Sequence, residues 1–125
     1  MYTFVKTIAD ADDVILAGPV YHRSYSETLK NAFDNLDCDA FLDKAVGLLS
    51  HGSTAKNALL SCEYLVPVAH TLYGQALQYQ VASAKDDFAF ENENRTRRLS
   101  SVNVRACCAH LADKMYNKGG GYDQK

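Results

Sequence analysis

Two short, unbroken apolar runs constrain this chain more than any other feature. Val14-Ile15-Leu16-Ala17 is closed by Gly18-Pro19, and Ala45-Val46-Gly47-Leu48-Leu49 runs into Ser50-His51-Gly52-Ser53-Thr54. Short apolar runs ended by turn residues mark strands buried on both faces, the habit of parallel sheets. The segments that follow each run have helical spacing. Ser24 and Glu27 stand at capping-box distance, and Leu29, Ala32, Phe33 and Leu36 follow at helical intervals, so a helix starts near Ser26. A second helix spans about Thr54 to Leu72 with Leu59, Cys62, Val66 and Tyr73 on one side. Pro67 in its interior predicts a kink or a missing backbone hydrogen bond. A third strand is expected at Leu77-Gln78-Tyr79-Gln80-Val81, after Gly74. This alternation predicts an α/β sandwich around a short parallel sheet of about three strands.

The rest of the chain is less patterned. The stretch from Asp86 to Arg98 is charged and rich in Asn and reads as a surface loop. It leads into a final helix whose buried side is marked by Val104, Cys108, Leu111 and Met115. Gly119-Gly120-Gly121-Tyr122-Asp123-Gln124-Lys125 has the composition of a frayed tail. The expected organisation is one domain over residues 1–117 followed by a flexible tail, 118–125. A chain of 125 residues, 47% hydrophobic and 22% charged, suffices for a single core without staples.

Charge and cysteine usage narrow the function classes. With 13 Lys and Arg against 15 Asp and Glu, the chain has no electrostatic footprint for nucleic acid or an anionic membrane, and neither partner is expected. No apolar run approaches the roughly 18 residues of a spanning helix, and Met1 to Asp10 lack a signal-peptide core, so a soluble cytoplasmic protein is expected. Cys38, Cys62, Cys107 and Cys108 include no CxxC pair. Their spacing suits neither zinc nor a disulfide framework, so no metal site is expected and the thiols read as buried or idle.

In open α/β sheets, ligands bind beyond the carboxyl ends of the strands, where loops diverge and helix N-termini point free N–H groups outward. Two loops qualify: Gly18-Pro19-Val20-Tyr21-His22-Arg23-Ser24-Tyr25-Ser26 and Ser50-His51-Gly52-Ser53-Thr54. The first combines a rigid proline, two aromatics, a base, a cation and hydroxyls, a set suited to a flat polar heteroaromatic ligand. Each residue also has a plainer role. Tyr21 and Tyr25 could cover the end of the sheet, and His22 reads as a solvent-facing loop residue rather than a base. Arg23 either steers the phosphates of a dinucleotide or is a solvated loop charge. Ser50 and His51 are adjacent, which seldom aligns nucleophile and base, and no acid partner is evident, so hydrolase chemistry is not favoured. Lys30 and Asp34 have the spacing of a surface pair on one helix face. Arg95-Thr96-Arg97-Arg98 reads as solvated loop.

The segment from Ala11 to Asp34 resembles the hallmark of the NAD(P)H-dependent FMN reductase family, which has a flavodoxin-like fold. The pattern is an acidic-led strand, then Pro19-Val20-Tyr21 followed closely by Ser24-Tyr25-Ser26, then Leu29-Lys30-Asn31-Ala32-Phe33-Asp34. Lys44 to Gly52 looks like the family's next strand and glycine-containing loop, and the likeness runs from about Asp10 to Tyr116. The resemblance implies that Pro19, Val20, Tyr21, His22, Ser24 and Tyr25 lie along the flavin of FMN. Ser50, His51, Gly52 and Ser53 would approach its pyrimidine side. NAD(P)H would be the co-substrate, stacking on FMN to pass hydride, with no catalytic side chain required.

The family carries a strand, a phosphate-gripping loop, a helix and a second strand before this segment, and Phe4 to Asp10 resembles the tail of the helix that follows them. The resemblance therefore implies a truncated flavodoxin-like three-layer sandwich whose first strand has an open edge. Association as a homo-oligomer, dimer or tetramer, is implied through the helix carrying Tyr64 to Tyr73. The alternative is a noncatalytic flavodoxin-like interaction module that has lost FMN binding and pairs its open edge with another polypeptide.

Overall fold

The computed structural model describes residues 2–85, 88–91 and 96–99, together with positions 109, 112, 113 and 116. The elements are α1 (Tyr2–Asp10), β1 (Val14–Pro19), α2 (Glu27–Phe33), β2 (Ala45–Gly52), α3 (Ala55–Thr71), β3 (Gln75–Ala84), β4 (Phe88–Glu91) and β5 (Thr96–Leu99). β1, β2 and β3 form a parallel sheet in that order, with β2 in the centre. The fold is the expected α/β arrangement on a short parallel sheet. Both connections within it are helical, as parallel neighbours require.

The core lies on one face of the sheet. Val14 and Leu16 of β1, Val46 and Leu48 of β2, and Cys62, Leu65 and Ala69 of α3 are buried together with Phe33, Phe41 and Leu72. Burying each of the larger side chains contributes about 1.5–3 kcal/mol. Phe33 and Phe41 meet edge to face, with ring centroids 6.3 Å apart. A Cβ on Gly18 would lie 3.8 Å from Leu29 of α2, and one on Gly52 would lie 3.5 Å from the Ala58 nitrogen of α3. Gly18 is in register with Ser50, two residues before Gly52, so α2 and α3 flank the same face.

β2 is buried over most of its length, as expected, but β1 is not buried on both faces. Ile15 is 54% exposed and Ala17 is also exposed, while Val14 and Leu16 are buried. An apolar run reports the preference of its side chains and not the layers available to cover them. Among the described residues β1 lies at one end of the sheet, and no described element covers its Ile15 side.

The helices differ from expectation in their details. Ser26, not Ser24, caps α2: its Oγ accepts from the Leu29 N–H at 3.2 Å. Ser24 is instead drawn into a turn with Tyr21. Lys30 and Asp34 form the expected surface pair at 2.5 Å, and the hydrogen bond to Asp34 raises the Lys30 pKa. α3 runs continuously through Pro67, capped by Thr54, whose Oγ1 accepts from the Asn57 N–H. Its buried side is Ala58, Ser61, Cys62, Leu65 and Ala69, while Leu59 and Tyr73 are exposed. Four of these five residues are small and let the helix lie close to the sheet.

Beyond Thr71, α3 is closed at Tyr73, whose φ of 65° is left-handed, and the Gly74 N–H returns to the Ala69 carbonyl at 2.9 Å. This is the Schellman closure of a helix, here with tyrosine where glycine is commonest. A Cβ on Gly74 would lie 2.6 Å from Val46 Cγ2 and 2.9 Å from Phe41 Cβ, so the chain passes against the core where only glycine fits. At the entry to β2, Lys44 Nζ donates to the Ala11 carbonyl at 2.6 Å, and Asp13 Oδ1 accepts from the Ala45 N–H at 3.0 Å.

β3 extends the expected Leu77–Val81 segment in both directions and carries an irregularity opposite the Val46–Leu48 stretch. The region read as a loop holds an antiparallel pair, with Phe88 opposite Leu99 and Glu91 opposite Thr96. Charge and Asn content describe exposure and turn preference, whereas the alternation Phe88-Ala89-Phe90 around an Asn-rich centre is a hairpin signal that composition hides. Ala109, Ala112, Asp113 and Tyr116 are helical and exposed. Val104, Cys108, Leu111, Met115 and the tail from Gly119 lie outside the described residues.

Candidate functional site

The site is built where β1 and β2 end. Parallel register places Gly18 beside Ser50 and Pro19 beside His51, so the two candidate loops leave the sheet side by side. The Val20 N–H donates to the His51 carbonyl at 2.9 Å and ties one loop to the other. Gly52 completes the contact. A Cβ there would lie 3.0 Å from Val20 Cγ2, so the absence of a side chain lets Val20 rest against the glycine turn.

Beyond Val20 the first loop reverses direction. Tyr21 and Ser24 exchange backbone hydrogen bonds at 2.9 and 3.1 Å, and the two residues between them, His22 and Arg23, have φ of 51° and 64°. Positive φ at both central positions is the signature of a type I′ turn, for which Asn-Gly is the favoured pair. Placing two residues with Cβ atoms there costs about 1–2 kcal/mol each. The conformation is held by the reciprocal Tyr21–Ser24 bonds and by the anchored Val20. Tyr21 is 60% exposed at the turn, while Tyr25 is half-buried and packs against the core.

At the second loop, Ser50 is buried and its hydroxyl donates to the Gly18 carbonyl at 3.0 Å. Its side chain is thus occupied in joining β1 to β2. His51 Nδ1 lies 2.9 Å from Ser83 Oγ, and the Ser83 hydroxyl is 3.4 Å from the Ser50 carbonyl. When Ser83 donates to Ser50, Nδ1 carries the proton that reaches Ser83. When Ser83 donates to His51, Nδ1 accepts. Ser53 and Thr54 are exposed at the start of α3.

The structure therefore brings together Pro19, Val20, His51 and Gly52, sets Tyr21, His22 and Ser24 in one turn beside them, and turns the hydroxyl of Ser50 inward. Ser83 is not among the candidates that motif and spacing yield. The signal that finds it is register, since Ser83 is the β3 partner of His51, and register depends on the irregularity in β3 that periodicity does not reveal.

An open parallel sheet with helical crossovers and two joined loops at its carboxyl ends is the arrangement of flavodoxin-like α/β folds. The model of the family described as NADPH-dependent FMN reductase matches residues 1–87, and the chain belongs to that family. FMN-dependent NADPH-azoreductase of Staphylococcus aureus is 42% identical over 91 residues, covering 72% of this chain and 47% of the relative. The chain thus spans about half the length of the curated relatives it matches. Among solved structures, an NADH:FMN oxidoreductase in its apo form matches with a TM-score of 0.71 at 22% identity, covering 91% of this chain and 59% of that one. An oxidoreductase from Corynebacterium diphtheriae matches with a TM-score of 0.69 at 21% identity, covering 90% and 60% respectively. These two likenesses establish the fold. Among the described residues, no helix is long and apolar enough to cross a membrane.

Proposed function

We propose that the protein is a flavin-dependent oxidoreductase of the NAD(P)H-dependent FMN reductase type, and that the loops after β1 and β2 hold the flavin ring. The observation that carries this reading is the register of the two strands: Pro19 lies beside His51 and the Val20 N–H is bonded to the His51 carbonyl, so the two loops make one surface. The residues fit the group. The Gly52–Val20 contact leaves the glycine turn without a projecting side chain, Tyr21 offers an exposed aromatic face, and the turn backbones carry the donors and acceptors that a polar heterocycle requires. Pro19, Val20, Tyr21, His22, Ser24 and Tyr25 would line one side and Ser50, His51, Gly52 and Ser53 the other.

FMN, when bound, supplies the acceptor for hydride from the nicotinamide. The chain's own task is alignment and exclusion of water, and no side chain need act as acid or base. Support comes from family membership and from the S. aureus relative named for FMN and NADPH. The same reading makes the protein a cytoplasmic homo-oligomer without nucleic-acid or membrane partners. Leu59 and Tyr64, each nearly half exposed on α3, give association an apolar surface. The test is quenching of FMN fluorescence by the purified chain, with NAD(P)H oxidation measured on the same sample. Quenching accompanied by oxidation supports the enzyme.

The second reading, a noncatalytic interaction module, draws on β1. Its outer edge is unpaired among the described residues and Ile15 and Ala17 are exposed beside it, the arrangement that accepts an added strand. A colourless chain that leaves FMN fluorescence unchanged would favour it.

A further inference from the structure

Two buried serines lie near the carboxyl ends of β2 and β3: Ser50 is 1% exposed and Ser83 is 5% exposed. A buried hydroxyl costs free energy unless it is hydrogen-bonded, so each has to be satisfied within the protein. Ser50 donates to the Gly18 carbonyl of β1 at 3.0 Å. Ser83 stands at a junction. Its Oγ lies 2.9 Å from His51 Nδ1 and 3.4 Å from the Ser50 carbonyl oxygen.

A hydroxyl has a single proton, which limits how both contacts can be made. If Ser83 donates to His51, it brings no donor to the Ser50 carbonyl. If it donates to the Ser50 carbonyl, its lone pairs receive a proton from His51 Nδ1, and both contacts become hydrogen bonds. The second arrangement satisfies more polar groups in a region where leaving them unsatisfied is costly. It selects the neutral imidazole protonated on Nδ1, whose other nitrogen, Nε2, can only accept.

Register places this pair where the two loops begin. Ser83 is the β3 partner of His51 and Pro19 is its β1 partner, so the three residues form a row across the sheet. His51 is thereby fixed from both sides. Its carbonyl accepts from the Val20 N–H at 2.9 Å on the β1 side, and its ring meets Ser83 on the β3 side. The backbone bond joins the loops, and the serine determines which nitrogen of the half-buried ring bears the proton.

Resting on the flavin-dependent reading above, we propose that Ser83 is a positioning residue for that site: it holds the His51 imidazole as a hydrogen-bond acceptor, so that the loop after β2 favours a heterocycle presenting an N–H donor. The oxidised isoalloxazine ring has one such donor, the imide N–H between its two carbonyl groups. Without Ser83 the ring is free to change tautomer, and a protonated Nε2 would face that donor with a second donor. Ser83 acts through His51 and takes no part in hydride transfer.

The experiment reads the imidazole and the ligand separately. Long-range proton–nitrogen NMR of the flavin-free, 125-residue chain at about pH 8.5, where an ordinary imidazole is neutral, gives the His51 tautomer. Its signals are identified by their loss in H51A. The expected result is a proton on Nδ1 in the parent and in S83T, and loss of that preference in S83A. A proton on Nε2 in the parent overturns the proposal, as does an S83A ring with the parent's tautomer. FMN affinity, from fluorescence quenching, is expected to fall about three- to tenfold in S83A, the scale of one hydrogen bond, and to return in S83T. FMN methylated on its imide nitrogen should bind the parent more weakly than FMN does, by a margin that narrows in S83A. A margin unchanged in S83A overturns the proposal. So does an equal loss of FMN affinity when S83A is added to H51A, because Ser83 would then act through the strands and not through the ring. Absence of quenching by the parent removes the flavin reading, while the tautomer measurement decides whether Ser83 sets the ring.

Discussion

Gly52 and Val20 are fitted to one another across the two loops: a Cβ on the glycine would lie 3.0 Å from Val20 Cγ2 and 3.3 Å from its Cβ. Val20 can yield only by shifting the segment between Pro19 and Tyr21, which is also tied by its N–H to His51. Gly52→Ala is therefore expected to displace the first loop while leaving the sheet intact. FMN affinity, read by fluorescence quenching, should fall about tenfold, equivalent to about 1.4 kcal/mol. The circular dichroism spectrum should remain that of the parent. Unchanged affinity would show that the contact between the loops does not shape the flavin surface.

Gly74 answers to the core instead. A methyl group at this position would press on Val46 and Phe41, both fully buried, and has no direction of escape. Gly74→Ala should cost about 1–3 kcal/mol by overpacking, seen as a lower urea midpoint with little change in the slope of the transition.

At the neighbouring position the sign reverses. Tyr73 holds a left-handed backbone conformation and is 60% exposed, so its side chain gains little from burial. Glycine there removes a steric cost of about 1–2 kcal/mol but adds freedom to the unfolded chain worth about 0.5–1 kcal/mol. Tyr73→Gly is expected to raise stability by about 0.5–1 kcal/mol, and a lower midpoint in urea would contradict the strained-cap account.

Cys62 gives a dependence on pH. Burial beneath α3, followed by the nearby charge of Glu63, pushes its thiol pKa up to about 11 from an ordinary 9.0. Folding thus favours the protonated thiol. The associated stability is fully present below pH 9 and is lost as pH rises toward 11, by up to about 3 kcal/mol. Comparing urea midpoints of the parent and Cys62→Ala from pH 8 to 11 isolates this contribution, and the parent should lose more stability over that interval. At pH 8, a thiol reagent should modify the exposed Cys38 before the buried Cys62.

Much of the sheet could be read from the sequence because its strands are short, apolar and closed by strong turn signals. Gly18-Pro19 and Ser50-His51-Gly52 end β1 and β2 in the chain as they do in space. What escaped was information that depends on neighbours. The exposure of Ile15 follows from the lack of a described element over that face of β1, and the choice of Ser26 over Ser24 as the cap follows from the turn that claims Ser24. The inward Ser50 hydroxyl and the His51–Ser83 contact depend on strand register. The antiparallel pair at Phe88–Glu91 and Thr96–Leu99 was hidden by its charged composition. Periodicity identifies the elements, whereas partners decide which side chains remain available at a site.

Because β2 is bonded to a strand on each side while β1 has only one such neighbour among the described residues, the sheet is not uniformly persistent. Deuterium should replace the amide protons of β1 on its outer edge well before those of β2, whose release requires disruption of both pairings. The glycine turn is thus suspended from the longest-protected strand, and the proline turn from one that opens more readily.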